Sequence, residues 1–324
     1  MSSFLVTGAA GFIGSSLVHK LCADGHQVRG IDNLATGRME NLRGALDRMD
    51  FHKGDIRDRD LMRTLCHGTE FVFHEAAIPS VPKSVLDPVT SHQANIDGTL
   101  SVLMAARDTG VKRIVYAASS SAYGESPTLP KREDMPTAPI SPYAVQKLTG
   151  ELYMQCFARV YGMETVCLRY FNVFGPAQAA DSPYSGVLAK FITLMLSGVS
   201  PVIYGDGSQS RDFTYIDNVV EANLLAASAP AADVSGKVYN VACGQRFSLL
   251  TIYYLIAEML DFRKQPLFAA PRTGDIQHSL ADITRARHDL GYQPIVDFED
   301  GIRRTIDWYA MQMETQAELR SHVA

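Results

Sequence analysis

The stretch LVTGAAGFIG, residues 5–14, constrains the chain more than any other. A short apolar run reaches a glycine, and two more glycines follow at three-residue spacing. In FIGSSLVHKLCADG (12–25), apolar side chains at 13, 17, 18 and 21 share one helix face before Gly25 closes the helix. QVRGID (27–32) reads as a second strand that ends on Asp32. This is a strand–helix–strand unit with parallel strands and a right-handed crossover. The glycine spacing is G-x-x-G-x-x-G rather than the commoner G-x-G-x-x-G. Gly8 permits the tight turn, Gly11 lets backbone approach a pyrophosphate, and Gly14 lets the helix pack close to the strand. The free N–H groups of Phe12, Ile13 and Gly14 offer phosphates the positive end of the helix. Asp32 stands where an acid accepts hydrogen bonds from an adenosine ribose. A carboxylate there repels a 2′-phosphate, so NAD is expected rather than NADP.

The strand–helix rhythm continues. FHKGDI (51–56), EFVFHEAA (70–77), KRIVYAAS (112–119) and ETVCLRYFNVFG (164–175) read as strands, with helical patterns at 58–66, 95–109 and 143–161. The expected fold is α/β, a doubly wound parallel Rossmann sheet with ligands at the carboxyl ends of its strands. Asp55, ending the third strand, is placed to meet the adenine edge, and Ala76 and Ala77 leave room beside the phosphates. After residue 175 the rhythm breaks. FTYIDNVVEANLLAAS (213–228) reads as a helix and VYNVA (238–242) as a strand able to rejoin the sheet. Residues 1–175, with 213–243 rejoining them, are expected to form the cofactor-binding domain. Segments 176–212 and 244–324 are expected to form a smaller, discontinuous C-terminal substrate lobe.

Composition narrows the partners. A net charge of −5 in 324 residues argues against nucleic acid. No stretch approaches a membrane span, and the longest apolar tract, 187–196, contains Lys190 and reads as a buried helix. The five cysteines (22, 66, 156, 167, 243) are scattered without a C-x-x-C pair, so no metal site is expected. Buried reduced thiols and the lack of a charged leader before the first apolar run fit a cytoplasmic setting.

The reacting groups come later. In SPYAVQK (141–147), Tyr143 and Lys147 are four residues apart and share a helix face behind a Ser141 cap and a first-turn Pro142. A tyrosine is a poor base near neutral pH unless positive charge favours its phenolate. A neighbouring ammonium and a nicotinamide cation both do so, which makes the pair a proton-transfer unit. YAASSSAYG (116–124) puts Ser119, Ser120 and Ser121 at a strand end, where they can bond a bound hydroxyl.

With G-x-x-G-x-x-G, Asp32, Asn95, the serine run, Y-x-x-x-K and RYFNVFGP (169–176) together, the chain resembles the extended short-chain dehydrogenase/reductase family, and within it the NAD-dependent UDP-hexose 4-epimerases. The resemblance covers nearly the whole length. It implies that Tyr143 is the base, that Lys147 holds the ribose and lowers the tyrosine pKa, and that one serine of 119–121, Ser120 first among them, shares the proton path and meets the sugar 4-hydroxyl. It implies further cofactor contacts at Asn33, Ile56, Asn95, Ser119 and Tyr170. The Asp-Glu pair of sugar 4,6-dehydratases and the Glu of UDP-glucuronate decarboxylases are replaced by Ser120 and Ser121, and epimerisation needs only oxidation and re-reduction at one carbon. The alternative readings are a UDP-glucuronate 4-epimerase or decarboxylase of the same fold, or a non-catalytic NAD-binding module. For the UDP-sugar, the candidates are Ser121, Asn172, Val187 and Lys190, Tyr204 against uracil, Arg211 and Arg272 on the diphosphate, and Asp275 on the ribose. Gln277 stands where relatives often carry Arg. Ser279, at the wall of the sugar pocket, is small enough to admit 2-acetamido sugars. A homodimer through helices 95–109 and 143–161 is implied as well.

Overall fold

The computed structural model describes residues 1–180, 186–271 and 277–323, with side chains through 315. Seven strands form one sheet: β1 (Ser3–Thr7), β2 (Gln27–Asp32), β3 (Asp50–Lys53), β4 (Phe71–His74), β5 (Arg113–Ser119), β6 (Glu164–Tyr170) and β7 (Lys237–Val241). Their order is β7-β6-β5-β4-β1-β2-β3 and every pairing is parallel. Strand order therefore reverses between β1 and β4. The crevice above that point is where an open α/β sheet binds its ligands.

Five helices cover the sheet: α1 (Phe12–Ala23), α2 (Arg59–Cys66), α3 (Gly98–Thr109), α4 (Pro142–Tyr161) and α5 (Ile216–Ser228). On one face, Met62, Leu65, Val102, Leu103, Met154 and Phe157 from α2, α3 and α4 pack on Leu5, Val72 and Ile114. On the other, Leu17, Val18 and Leu21 of α1 and Val219, Ala222 and Ala226 of α5 pack on Val6, Phe73 and Val115. Alternate residues of each strand feed opposite cores, as strand geometry requires. At the far end of β5 the Arg113 guanidinium donates to the carbonyls of Ala226, Ala227 and Ala229 and pairs with Glu164. It thus satisfies the last turn of α5. Among the described residues no helix is long and apolar enough to cross a membrane.

The strand expected over 164–175 is interrupted. β6 stops at Tyr170, and Asn172 adopts a left-handed backbone conformation at φ 35°, which Asn tolerates better than most residues. Val173–Phe174 then leaves the sheet and pairs with Thr214–Tyr215. The helix expected from 95 is preceded by a wide π-type turn over Gln93–Asp97, with Asn95 at its centre. The tract 187–196 is a helix that buries Leu188, Ala189, Phe191, Ile192 and Met195.

The turn after β1 holds the assembly together. Gly8 has φ 68°, and a Cβ there would stand 2.8 Å from the backbone of Ala76. A Cβ on Gly14 would stand 2.1 Å from the Gly8 carbonyl oxygen. Gly14→Ala is expected to push α1 off β1 and cost roughly 1–3 kcal/mol, read as a lower urea midpoint with an unchanged slope.

Candidate active site

α1 begins without a side-chain cap and without an acid in its first turn; Gly11 is its N-cap. The first-turn N–H groups of Phe12, Ile13 and Gly14 lie at the switch point, and no acid stands in that turn to compete for them. A side chain on Gly11 would reach 3.1 Å from the Gly8 carbonyl. A bare, uncapped helix start fits a pyrophosphate. At the end of β2, Asp32 accepts from the amides of Ala10 (3.0 Å) and Leu34 (2.8 Å). Burial raises its pKa against those bonds. Two carboxylate oxygens offer about four acceptor sites, so the group retains capacity for a diol. Gly37 passes so close that a Cβ would stand 2.6 Å from its Oδ2.

Asn33 donates to Asp55 at 3.2 Å, and Arg57 holds the Asp55 carboxyl down to about 2. Arg57 also reaches Gln93. Ile56 packs on Gly98, where a Cβ would come within 2.5 Å of its Cδ1. Ala76 donates its amide to Thr7. Asn95 is buried. Its Oδ1 accepts from the Ile78 amide at 2.8 Å and its Nδ2 donates to Gln146 Oε1 at 2.8 Å. It therefore pins the segment after β4 to α4, a role the wide turn at 93–97 makes possible. Gln146 has no signature in the sequence beyond lying between Tyr143 and Lys147.

Ser141 caps α4 by accepting from Ala144, and the Tyr143 amide donates to Ser84 at 3.0 Å. Tyr143 is half-buried, and desolvation of its phenol raises its pKa. Hydrogen bonding with Ser119 opposes the shift and the charge of Glu75 adds to it. Lys147 Nζ donates to the Ala117 carbonyl at 2.8 Å and lies 5.1 Å over the Tyr116 ring. Burial lowers its pKa. Among the protein's own groups burial dominates the phenol's pKa. The serine turned to the phenol is Ser119, with Ser121 Oγ donating to Ser119 Oγ at 2.8 Å. Ser120 starts the short 3₁₀ turn Ser120–Tyr123 that carries the chain away.

Sequence reasoning missed Glu75, the residue after β4. Tyr170 Oη donates to its Oε1 at 2.9 Å, and Asn223 Nδ2 donates to Tyr170 Oη at 2.8 Å. Burial lifts its carboxyl well above the usual range. The adjacent His74 points the other way, between Thr7 (2.7 Å) and Thr99 (2.9 Å), and burial lowers its pKa to about 3.

On the substrate side, Asn172 Nδ2 donates to the Asp212 carbonyl (2.8 Å) and to Ser279 Oγ (3.2 Å), so two predicted residues meet. Arg211 is anchored to the carbonyls of Ser210 and Gln277. The carbonyl of Gln277 organises this corner, since it also accepts from the Ser210 amide. Tyr204 ends a strand paired with Leu267–Ala269 and its carbonyl accepts from Gln209. Val187 and Lys190 lie in the first turn of the helix 187–196. Arg272 and Asp275 lie outside the described residues. Asp212, also missed, is fully buried. Its carboxylate accepts from the amides of Cys243, Gly244 and Ala281 at 3.0–3.1 Å, tying three distant segments together. Among the described residues no cluster of His, Cys, Asp or Glu could hold a metal ion.

Residues 4–242 match the NAD dependent epimerase/dehydratase family. The UDP-glucose 4-epimerase of Mycolicibacterium smegmatis is 42% identical over 309 residues, covering 94% of this chain and 97% of that one. A solved UDP-N-acetylglucosamine 4-epimerase from Methanobrevibacter ruminantium, in complex with UDP-N-acetylmuramic acid, superposes with a TM-score of 0.92 at 41% identity, covering 96% of this chain and 99% of that one. The UDP-glucose 4-epimerase of Thermotoga maritima, solved with UDP-glucose, gives 0.91 at 37% identity, covering 96% and 99%.

Burial raises Asp212 to about 6. Its folded value exceeds its unfolded one, so its contribution to stability is full below the unfolded value and is lost as pH rises through about 6. Asp212→Asn is expected to flatten the fall in unfolding free energy between about pH 4 and pH 7, measured by urea titration at both ends. An unchanged slope would contradict the assignment.

Proposed function

The chain belongs to the NAD dependent epimerase/dehydratase family, and on that premise we propose that it interconverts UDP-hexoses epimeric at C4, with UDP-glucose and UDP-galactose as the principal pair. The observation that carries this is the meeting of Tyr143, Ser119 and Lys147 at the end of β5, one strand from the glycine cradle, with no carboxylate at Ser120 or Ser121 to drive elimination. NAD, when bound, accepts the C4 hydride and returns it. Tyr143 takes the 4-hydroxyl proton and later gives it back. Ser119 shares that proton path, and the Ser121 hydroxyl orients Ser119. Lys147, fixed on the Ala117 carbonyl, presents its charge to the cofactor ribose. Gly11, the first turn of α1 and Asp32 hold the pyrophosphate and adenosine ribose, with Asn33, Asp55 and Ile56 toward the adenine. Residues 1–175 with 213–243 do this work. Segments 176–212 and 244–324 grip the nucleotide, through Arg211, Tyr204, Lys190, Val187 and the unplaced Arg272 and Asp275.

A firm grip on the diphosphate and a loose one on the sugar let the 4-keto sugar turn its other face before re-reduction. Asn172 and Ser279, tied to one another, wall the sugar pocket with small polar groups. This favours acceptance of 2-acetamido sugars as well. We place the protein in the cytosol, where its five unpaired thiols remain reduced.

The homodimer rests on α4. Val145, Leu152 and Val160 are exposed at helical spacing on one face, 47–64% accessible, and Leu100 and Met104 are half-buried on α3. A second copy of this chain fits such a stripe. Leu152→Glu is expected to convert a dimer to monomer in light scattering while leaving the fold intact.

The activity test is incubation with UDP-glucose, UDP-galactose, UDP-N-acetylglucosamine and UDP-glucuronate, followed by separation of C4 epimers. Carbon dioxide released from the glucuronate would overturn epimerisation in favour of decarboxylation. Tyr143→Phe is expected to lose at least 10²–10⁴-fold in turnover, the usual worth of a general base, with NAD still bound. Ser119→Ala should cost far more than Ser120→Ala; the reverse order would return the role to Ser120.

A further inference from the structure

The cofactor's path is marked at three points: Asp32 at the end of β2, Gly8 and Gly11 at the end of β1, and Tyr143 with Lys147 over the end of β5. The strand between the second and third points is β4, and the residue at its carboxyl end is Glu75. That residue follows directly from the strand whose next backbone unit, Ala76, touches Gly8. A dinucleotide held at these three points would cross the end of β4, where Glu75 stands.

The groups facing this carboxylate come from three elements. Tyr170 of β6 is the hydrogen-bond donor to it among the described residues, and α5 supplies the neutral Asn223 behind that tyrosine. α4 supplies Lys147, which attracts the carboxylate without an ion pair, and Tyr143, whose phenol its charge disfavours ionising. His74 contributes no charge, being buried neutral between two threonines on the other side of the strand. Tyr170 itself stays a phenol, its pKa raised by burial and by Glu75. A half-buried carboxylate with one hydrogen-bond donor and a cation that makes no ion pair with it is under-compensated. Positive charge arriving above it is favoured strongly in such a medium.

We propose that Glu75, held by Tyr170, is a positioning residue for the redox state of the cofactor: its carboxylate favours the cationic oxidised nicotinamide over the neutral reduced ring. The proposal rests on the NAD-dependent reading of this site. It explains how the site supplies the oxidised cofactor at the start and end of each cycle although burial disfavours every charge in it. The carboxylate also offsets the nicotinamide charge that Tyr143 needs. Its negative charge raises the phenol's pKa, so it sets a balance between holding the oxidised ring and ionising the base.

The test uses the holoenzyme equilibrated with a redox dye of known potential, reading the reduced nicotinamide by its near-ultraviolet absorbance. Glu75→Gln is expected to lower the bound NAD⁺/NADH ratio at fixed poise by about tenfold, a rise of about 30 mV in the bound potential for this two-electron couple. The wild-type ratio, corrected for the proton taken up on reduction, is expected to rise with pH through about 7 as Glu75 ionises, and that of Glu75→Gln to lack this rise, changing only as Lys147 loses its proton. Glu75→Asp, which keeps the charge, should remain closer to wild type than Glu75→Gln. It serves as the control for packing. Equal potentials in wild type and Glu75→Gln, with both holding the cofactor, would overturn this role and leave the epimerase reading standing. A wild-type protein that binds neither form would overturn both.

Discussion

Backbone meets backbone where strand order reverses. Gly8 and Ala76 approach so closely that one methyl group would separate β1 from the segment leaving β4, and the same turn sets the start of α1 through Gly14. The site's geometry follows from that contact. It aims the first-turn amides of α1 into the crevice, fixes Ala76 through Thr7, and so fixes where Glu75 points. Thr7, His74, Thr99 and Asn95 continue as a chain of hydrogen bonds to Gln146 on α4. The cradle and the helix bearing Tyr143 are thus parts of one bonded framework.

Within that framework burial decides the electrostatics. It raises Tyr143, raises Glu75, lowers Lys147 and keeps His74 neutral. Every one of these groups is pushed toward its uncharged form, so a bound cation and a bound diphosphate bring charge to a site poised to respond. By contrast, the scaffold guanidiniums of Arg169 and Arg113 are paired outright, with Glu151 at 2.6 Å and Glu164 at 2.7 Å.

Much of this was legible in the sequence because it is local. The glycine turn, α1, Asp32 and the Ser141 cap each depend on residues within a few positions of one another, and periodicity exposes them. What escaped depends on contacts between distant segments. β6 ends early because the Asn172 side chain is drawn to Asp212 and Ser279, 40 and 107 residues away. Asp212 reads as one acid beside an arginine until three amides from remote loops converge on it. Glu75 looks like a polar residue ending an apolar strand, and its partner Tyr170 lies 95 positions on. The choice between Ser119 and Ser120 turned on a one-residue offset. That offset is set where β5 ends and the 3₁₀ turn begins, a boundary that pattern alone places poorly.

The central claim is that one carbon is oxidised and re-reduced within the site, with the hydrogen at C4 never released to water. Turnover of UDP-galactose in heavy water, followed by mass analysis of the product UDP-glucose, tests it most directly. The expected result is epimerisation to equilibrium with no deuterium at C4. Deuterium incorporated at C4 in step with turnover would contradict it, because the hydrogen would then have passed through solvent rather than through a hydride kept on the bound cofactor.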